Sequence, residues 1–396
     1  MRQIAGLKSL YIIAAILILI LMPSCQKDNT IKKSFKADSG LQINEIELTE
    51  NIIEGLPIGV DFEIGVVYIK SILRSKRSFL ISIIDIDSLN TAKHVELPAG
   101  NYQSPTEYFS PVHVEIIDKK YYVVDQFEKI VVYDQDFNHL YSSMYSQLRF
   151  FIDLFEYDNQ IFFLVGSKNI SKTVRCRVKL YRLIKDKKPI ETMNLSPPID
   201  TLSIYNKFTD NRYIVGYFWP SVHGFEKDGC IYYGTGNNKD IVIYNLRSKK
   251  KEIYSLSYLK SKKYQDKDAV KLGYHNTDGW EEKHYKRFGE KIIYEAYPHD
   301  MYHFGIFDIG SDKIGVAGDV NLDKMKFRLD IINIKSREYK ESIWLPIGYG
   351  FKNMLSTHYR GLSKGYINVD RGIYIFHDTV GEDFDHVVKV IKFKVK

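Results

Sequence analysis

Residues 112–143 read Val-His-Val-Glu-Ile-Ile-Asp-Lys-Lys-Tyr-Tyr-Val-Val-Asp-Gln-Phe-Glu-Lys-Ile-Val-Val-Tyr-Asp-Gln-Asp-Phe-Asn-His-Leu-Tyr-Ser-Ser. Four runs, Val112–Ile117, Tyr121–Val124, Ile130–Tyr133 and His139–Ser143, stand between short polar breaks. The runs are short, they alternate, and they are rich in β-branched and aromatic residues. That pattern predicts four antiparallel strands of one small sheet.

The third run and its Tyr-Asp ending recur along the chain. The copies are Ile83-Ile84-Asp85-Ile86-Asp87, Val131-Val132-Tyr133-Asp134, Lys179-Leu180-Tyr181-Arg182, Ile241-Val242-Ile243-Tyr244-Asn245 and Asp330-Ile331-Ile332-Asn333. Val387–Phe393 is a sixth copy without a turn. Asp85, Asp134 and Arg182 are 49 and 48 residues apart. Such spacing in strand-rich sequence is the mark of four-stranded propeller blades. The fifth unit is read as Lys291–Tyr294, Met301–Asp308, Phe327–Ile334 and Glu341–Leu345. The sixth is read as Tyr366–Val369, Gly372–Phe376 and His386–Lys394. The sixth lacks an outer strand, and Ile43–Leu48 is a strand without a unit. Pairing the two closes the ring and removes an open edge. The expectation is an all-β, six-bladed β-propeller over residues 41–396, closed by an N-terminal strand. Seven blades are the alternative, because 88 residues separate Asn245 from Asn333. We assign the excess to a loop over Ser257–Gly289 and a long hairpin near Gly310–Met325.

The N-terminus carries a different signal. Arg2 and Lys8 precede the apolar run Leu10–Met22, and Pro23-Ser24-Cys25 follows. This order reads as a secretory signal over residues 1–24. The run is shorter than the about 20 residues a spanning helix needs, which weighs against an uncleaved anchor. Residues 25–40 are polar and lysine-rich, and read as a lipidated cysteine followed by a flexible tether. The cysteine at the cut site resembles a bacterial lipoprotein signal, which implies lipidation of Cys25. With the signal, the strand ends, Tyr285-Lys286-Arg287-Phe288 and Gly372-Ile373-Tyr374-Ile375-Phe376 in view, the chain resembles a family of uncharacterised Bacteroidetes lipoproteins with a six-bladed propeller domain. The resemblance implies an exported protein anchored by lipid to the cell envelope, at the outer membrane, on its periplasmic or surface side. It implies no activity.

Composition narrows the function classes. The formal net charge is +7, and loss of Arg2 and Lys8 with the signal brings it to +5. Charges of both signs are interspersed, and the longest basic run, Lys249-Lys250-Lys251, lies at a predicted turn. A nucleic-acid partner is therefore not expected. Cys176 and Cys230 lie in strand runs and read as separate thiols, with a disulfide as the alternative an oxidising compartment allows. No Cys-x-x-Cys, Gly-x-Ser-x-Gly, Gly-x-x-x-x-Gly-Lys-Ser/Thr or Gly-x-Gly-x-x-Gly pattern occurs, and no cofactor is called for.

In a propeller, connections between blades and between second and third strands share one face, where sites assemble. That face collects Pro98–Pro111, Tyr145–Phe150, Pro197–Asn211, Ser257–Gly289 and Pro346–Leu362. It also collects Asp125–Lys129, Gly234–Lys239 and His377–Asp385. Tyr274, His275, Trp280, His284, Tyr285 and Arg287, with Tyr349, His358, Tyr359 and Arg360, form an aromatic and basic set. Flat rings and a planar guanidinium fork suit a sugar or an anionic ligand. The bland alternative is that they pack the long loops onto the blades. His377, Asp378, Glu382 and Asp385 are candidate cation ligands, against a solvated hairpin. The reading is a binding module for a glycan, another ligand or an envelope protein. The alternative is an exported hydrolase or lyase acting on a glycan, with an Asp, Glu or His of the same loops as acid or base; catalytic residues are unassigned.

Overall fold

The structure is a computed structural model. It describes residues 31–34, 43–44, 49–73, 75–100, 104–126, 129–145, 151–170, 174–195, 206–209, 212–215, 222–236, 238–260, 262–263, 291–293, 300–321, 323–348, 365–380 and 385–394. Six antiparallel sheets of four consecutive positions make six blades, and no helix occurs among the described residues. Blade I is Leu56–Asp61, Val66–Leu73, Ser78–Asp85 and Thr91–Pro98, and blade II is Pro111–Ile117, Lys120–Asp125, Lys129–Tyr133 and His139–Met144. Blade III is Phe151–Tyr157, Gln160–Ile170, Val174–Arg182 and Ile190–Leu195, and blade IV is Val222–Lys227, Cys230–Thr235, Asp240–Asn245 and Lys251–Ser255. Blade V is Ile306–Asp308, Lys313–Asn321, Lys326–Asn333 and Glu338–Pro346. Blade VI is Tyr366–Asn368, Ile373–Val380 and Asp385–Lys392, with Thr49–Glu54 as its outer strand.

The core is six apolar clusters, one at each junction of neighbouring blades. Residues that alternate along one strand feed two clusters. In blade II, Val131 and Tyr133 face blade I, whereas Ile130 and Val132 face blade III. Burial on both faces is why the third strands of blades I, II and IV are nearly continuous apolar runs, whereas those of blades III, V and VI also carry charged residues such as Lys179, Asp330 and Lys389. The sixth cluster closes the circle: Val67, Ile69, Ile84 and Ile86 of blade I meet Ile373, Ile375, Val388 and Val390 of blade VI. Arg371 of blade VI adds a latch, donating to Phe62 O at 2.6 Å and to Asp87 at 2.8 Å. The innermost strands approach closely. A Cβ on Gly59 of blade I would stand 2.2 Å from Val114 O of blade II, so only glycine fits there.

The structure refines three sequence expectations. Ring closure falls to Thr49–Glu54, paired antiparallel with Asp385–Lys392 from Thr49↔Lys392 to Glu54↔Val387. The strand expected to do this, Ile43–Leu48, instead places Ile43–Asn44 parallel to Ser342–Ile343 on the outer edge of blade V. The hairpin expected near Gly310–Met325 is the second strand of blade V, whose apolar pattern is broken by Gly315, by Gly318 and by a register shift between Ala317 and Asp319. Lys291–Ile293 leaves blade V altogether and pairs parallel with Arg212–Ile214 in a separate small sheet. Within the span read as a tether, Ile31–Ser34 pairs parallel with Glu252–Ser255 on the outer edge of blade IV. Cys230 carries a free thiol whose titration burial pushes up.

Candidate functional site

The two ends of the ring differ in how their turns are built. Turns between first and second strands and between third and fourth strands share one end, here the turn face. The Asp118-Lys119, Asp158-Asn159 and Asp228-Gly229 turns have φ between 46° and 71° at both central residues. Those angles are what two-residue hairpins with right-handed twist require. After the third strands, Asp85, Asp134, Asn245 and Asn333 cap the turn by accepting backbone N–H groups at 2.7 to 3.1 Å. A left-handed residue then returns the chain: Leu89, Phe137, Lys249 or Arg337, with Asp186 in blade III. The interblade connections, 99–110, 145–150, 196–221, 256–305 and 347–365, leave and re-enter the ring at the opposite end, the loop face.

The first of these connections shows how the loop face is held. Lys70, from the second strand of blade I, donates to Ser110 Oγ at 3.0 Å and Pro111 O at 2.9 Å. Asp125 of blade II accepts Phe109 N–H at 2.8 Å and Ser110 N–H at 2.9 Å. Lys129 donates to Pro105 O at 2.7 Å and lies 5.1 Å from the centre of the Tyr108 ring. All three charged groups are buried. Burial pushes both ammonium groups down to about 8, and the Asp125 carboxylate opposes the shift. Buried charge survives here because each group is paired or bonded. The clamp leaves Phe109 52% exposed at the rim. Ile72, Met144 and Val380 join it as exposed apolar side chains at loop-face strand ends of blades I, II and VI. Together they are four of the eight large exposed apolar residues among those described.

Glu115, Asp153 and Glu226 lie on the innermost strands of blades II, III and IV. Burial, followed by Glu115 of blade II and Asp153 of blade III, pushes the Tyr366 phenol of blade VI well above its usual range. Glu115 Oε2 is 3.1 Å from His113 Nε2. Asp153 accepts Glu226 N–H at 2.8 Å, tying blade III to blade IV. Burial, followed by Asp153, Asp228 and Asp308, pushes the Glu226 carboxyl up to about 7. A carboxyl titrating near neutrality is the kind of group acid–base catalysis uses. Glu226, however, sits at the turn-face end of its strand and accepts Gly229 N–H at 2.7 Å. Its place is a turn cap, remote from the long connections.

The residues proposed from sequence are distributed as follows. Tyr274, His275, Trp280, His284, Tyr285, Arg287, Tyr349, His358, Tyr359 and Arg360 lie outside the described residues, as do Cys25 and Glu382. The connections that contain the ten, 256–305 and 347–365, enter and leave blade V at the loop face. His377 and Asp378 are neighbours in the second strand of blade VI and so point to opposite sides of the sheet. His377 lies 2.8 Å from His386, and burial followed by that ring pushes it down to about 4. Asp378 lies 3.2 Å from Lys389 Nζ, which also meets Glu50 at 2.9 Å. Asp385, by its register opposite Val380, shares the side of Asp378. Among the described residues no three His, Cys, Asp or Glu side chains are grouped to hold a metal ion. The sequence reading does not single out Lys70, Glu115, Asp153 or Tyr366, and names Asp125 and Lys129 only as the ends of a loop-face segment. The available signal was a lone charge inside or beside an apolar run, as in Val67-Tyr68-Ile69-Lys70.

No family model matches the chain, and no curated protein matches it. Solved structures do. A member of the DUF4221 family from Bacteroides vulgatus is 13% identical with a TM-score of 0.47, over 89% of this chain and 99% of that one. A protein of Bacteroides fragilis named as exported is 10% identical with a TM-score of 0.43, over 92% and 99%. BamB from Moraxella catarrhalis is 12% identical with a TM-score of 0.35, over 85% and 84%. At these identities no functional residue is carried from them to this chain. The fold assignment rests on the six sheets and their six junctions.

Proposed function

We propose that this protein is a non-enzymatic binding module, exported and held on the bacterial envelope by lipid at Cys25, that takes a ligand or partner protein on its loop face. One observation carries the reading: every long connection leaves and re-enters the ring at one end, while the other end is closed by short, capped turns. Insertions confined to one face of a repeat architecture are how such folds build a binding surface. The exposed apolar residues of blades I, II and VI supply contact area at that face. The connections on either side of blade V bring the aromatic and basic set, whose chemistry suits a glycan or an anionic ligand.

The test is a glycan array probed with the mature chain and with a Trp280→Ala, Arg287→Ala double variant. The expected result is a defined set of bound glycans whose signal falls at least tenfold in the double variant. A Ser248→Ala control on the turn face leaves it unchanged. Equal binding by the double variant would remove these residues from the site. Turnover of a bound glycan would move the protein to the hydrolase or lyase class.

A further inference from the structure

We infer that the propeller lies on its membrane with the turn face of blades III to V against anionic phospholipid headgroups, so that the loop face points away from the bilayer. The inference deepens the proposed function and rests on the reading of Cys25 as the lipid-bearing residue. Two independent observations carry it.

The first is where the chain joins the ring. Ile31–Ser34 runs parallel to the fourth strand of blade IV, with Ile31 opposite Glu252 and Ser34 opposite Ser255. That fourth strand starts at the turn face, directly after the turn at residues 246–250. Ile31 therefore sits at the turn-face end of the outer edge of blade IV. Five residues lie between it and Cys25, and over those six Cα-to-Cα steps an extended chain covers at most about 3.5 Å per residue. The lipid attachment point is thus held within about 20 Å of this rim.

The second is charge. The turns after the third strands differ in sign around the ring. Blade III carries Lys185, Lys187 and Lys188 around a single Asp186, blade IV carries Arg247, Lys249 and Lys250, and blade V carries Lys335 and Arg337, all exposed. Lys335 is paired with Asp312 at 2.8 Å, and Arg337 lies 3.5 Å from Glu252. The matching turns of blades I and II carry Asp85, Asp87, Asp134 and Asp136 and no basic residue. The basic sector is centred on the blade where the anchor joins. Ile190, 47% exposed beside Pro189 at the same end of blade III, adds an apolar contact. Basic side chains near an anionic bilayer are attracted within a Debye length, and salt weakens the attraction.

The experiment uses lysines as native probes. The lipidated mature protein is reconstituted in phosphatidylcholine vesicles containing phosphatidylglycerol, and lysine acetylation is followed residue by residue by mass spectrometry, against the same protein in detergent. The expected result is at least threefold slower modification of Lys187, Lys188, Lys249 and Lys250, with the exposed loop-face residues Lys76 and Lys239 unchanged. Protection of Lys76 and Lys239 instead, or no difference between the faces, would overturn the inference. A second arm separates the inference from the anchor. The mature chain with Cys25→Ala, which carries no lipid, is titrated with the same vesicles. Binding that disappears in pure phosphatidylcholine or in 0.5 M salt, and that weakens at least tenfold in a Lys187→Ser, Lys188→Ser, Lys249→Ser, Lys250→Ser variant, supports the face assignment. Binding unaffected by the four substitutions, or no binding, contradicts it. The intact mass of the mature protein reports lipid on Cys25 separately, so failure of the anchor and failure of the face are distinguishable.

Discussion

Glu226 shows how the environment of a single side chain can imitate a catalytic signature. Its carboxyl is pushed up to about 7 by burial and by Asp153, Asp228 and Asp308, while its Oε1 caps the Asp228-Gly229 turn. Raising an acid's folded-state value above its unfolded one means that the folded state keeps the proton longer. Stability is then lost as pH rises from about 4.5 to about 7 and stays lower above that. Glu226→Gln keeps the accepting oxygen and removes the titration. The variant is expected to match the parent in urea unfolding at pH 4.5. At pH 8 it should be more stable by about 1 kcal/mol, allowing for solvent screening. A difference independent of pH would show that the carboxyl is not the strained group. His377 works in the opposite direction. Its lowered value means that stability falls as pH drops through the usual imidazole range toward 4, because the unfolded chain takes up the proton first.

The turn after each third strand is the element that was easiest to read and is easiest to test. Asn333 Oδ1 accepts Ser336 N–H at 2.8 Å, and Arg337 then takes φ +59°. Side-chain caps of this kind supply a hydrogen bond that the turn backbone otherwise lacks. Asn333→Ala is expected to lower stability by about 1 kcal/mol without changing the denaturant slope, as read from urea unfolding. An unchanged midpoint would mean that the cap is dispensable. The third strands of blades I, II and IV are the most legible because burial on both sides makes them nearly continuous apolar runs. Fourth strands were harder to see: Thr91–Pro98 is exposed along most of its length, so its pattern is polar. Thr49–Glu54 was passed over for the same reason, since Ile52 points to solvent at 56% exposure while Ile53 packs inward. In blade V the second strand carries glycines where Leu329 and Asp330 of the neighbouring strand leave no room for a Cβ. Those glycines read as a loop in sequence although they are the condition for close strand packing.

At the scale of the molecule, the sequence repeat pointed to a ring of six blades, with seven left open by the 88 residues between Asn245 and Asn333, and to only part of the site. The loop face could be located because alternating strand direction sends every interblade connection to one end. Its chemistry was not equally legible. Asp125 and Lys129 flank one hairpin that the sequence already assigns to the loop face, but Lys70 reaches them from the neighbouring blade, which no linear spacing encodes. Closure of the ring sets up the proposed binding face, since it brings the ends of the interblade connections to one end of the ring; the proposed membrane orientation rests instead on the pairing of Ile31–Ser34 with blade IV. Closure depends on one junction, in which a strand from the start of the chain completes a blade made by its end. Amides in a paired, buried strand exchange only when the surrounding unit opens. Native-state hydrogen exchange over residues 49–54 and 385–392 therefore reads the junction directly. Closure predicts that the hydrogen-bonded amides of both segments are protected to the same free energy, close to that of global unfolding. Rapid exchange of 49–54, as from an unpaired terminus, with 385–392 still protected would contradict it.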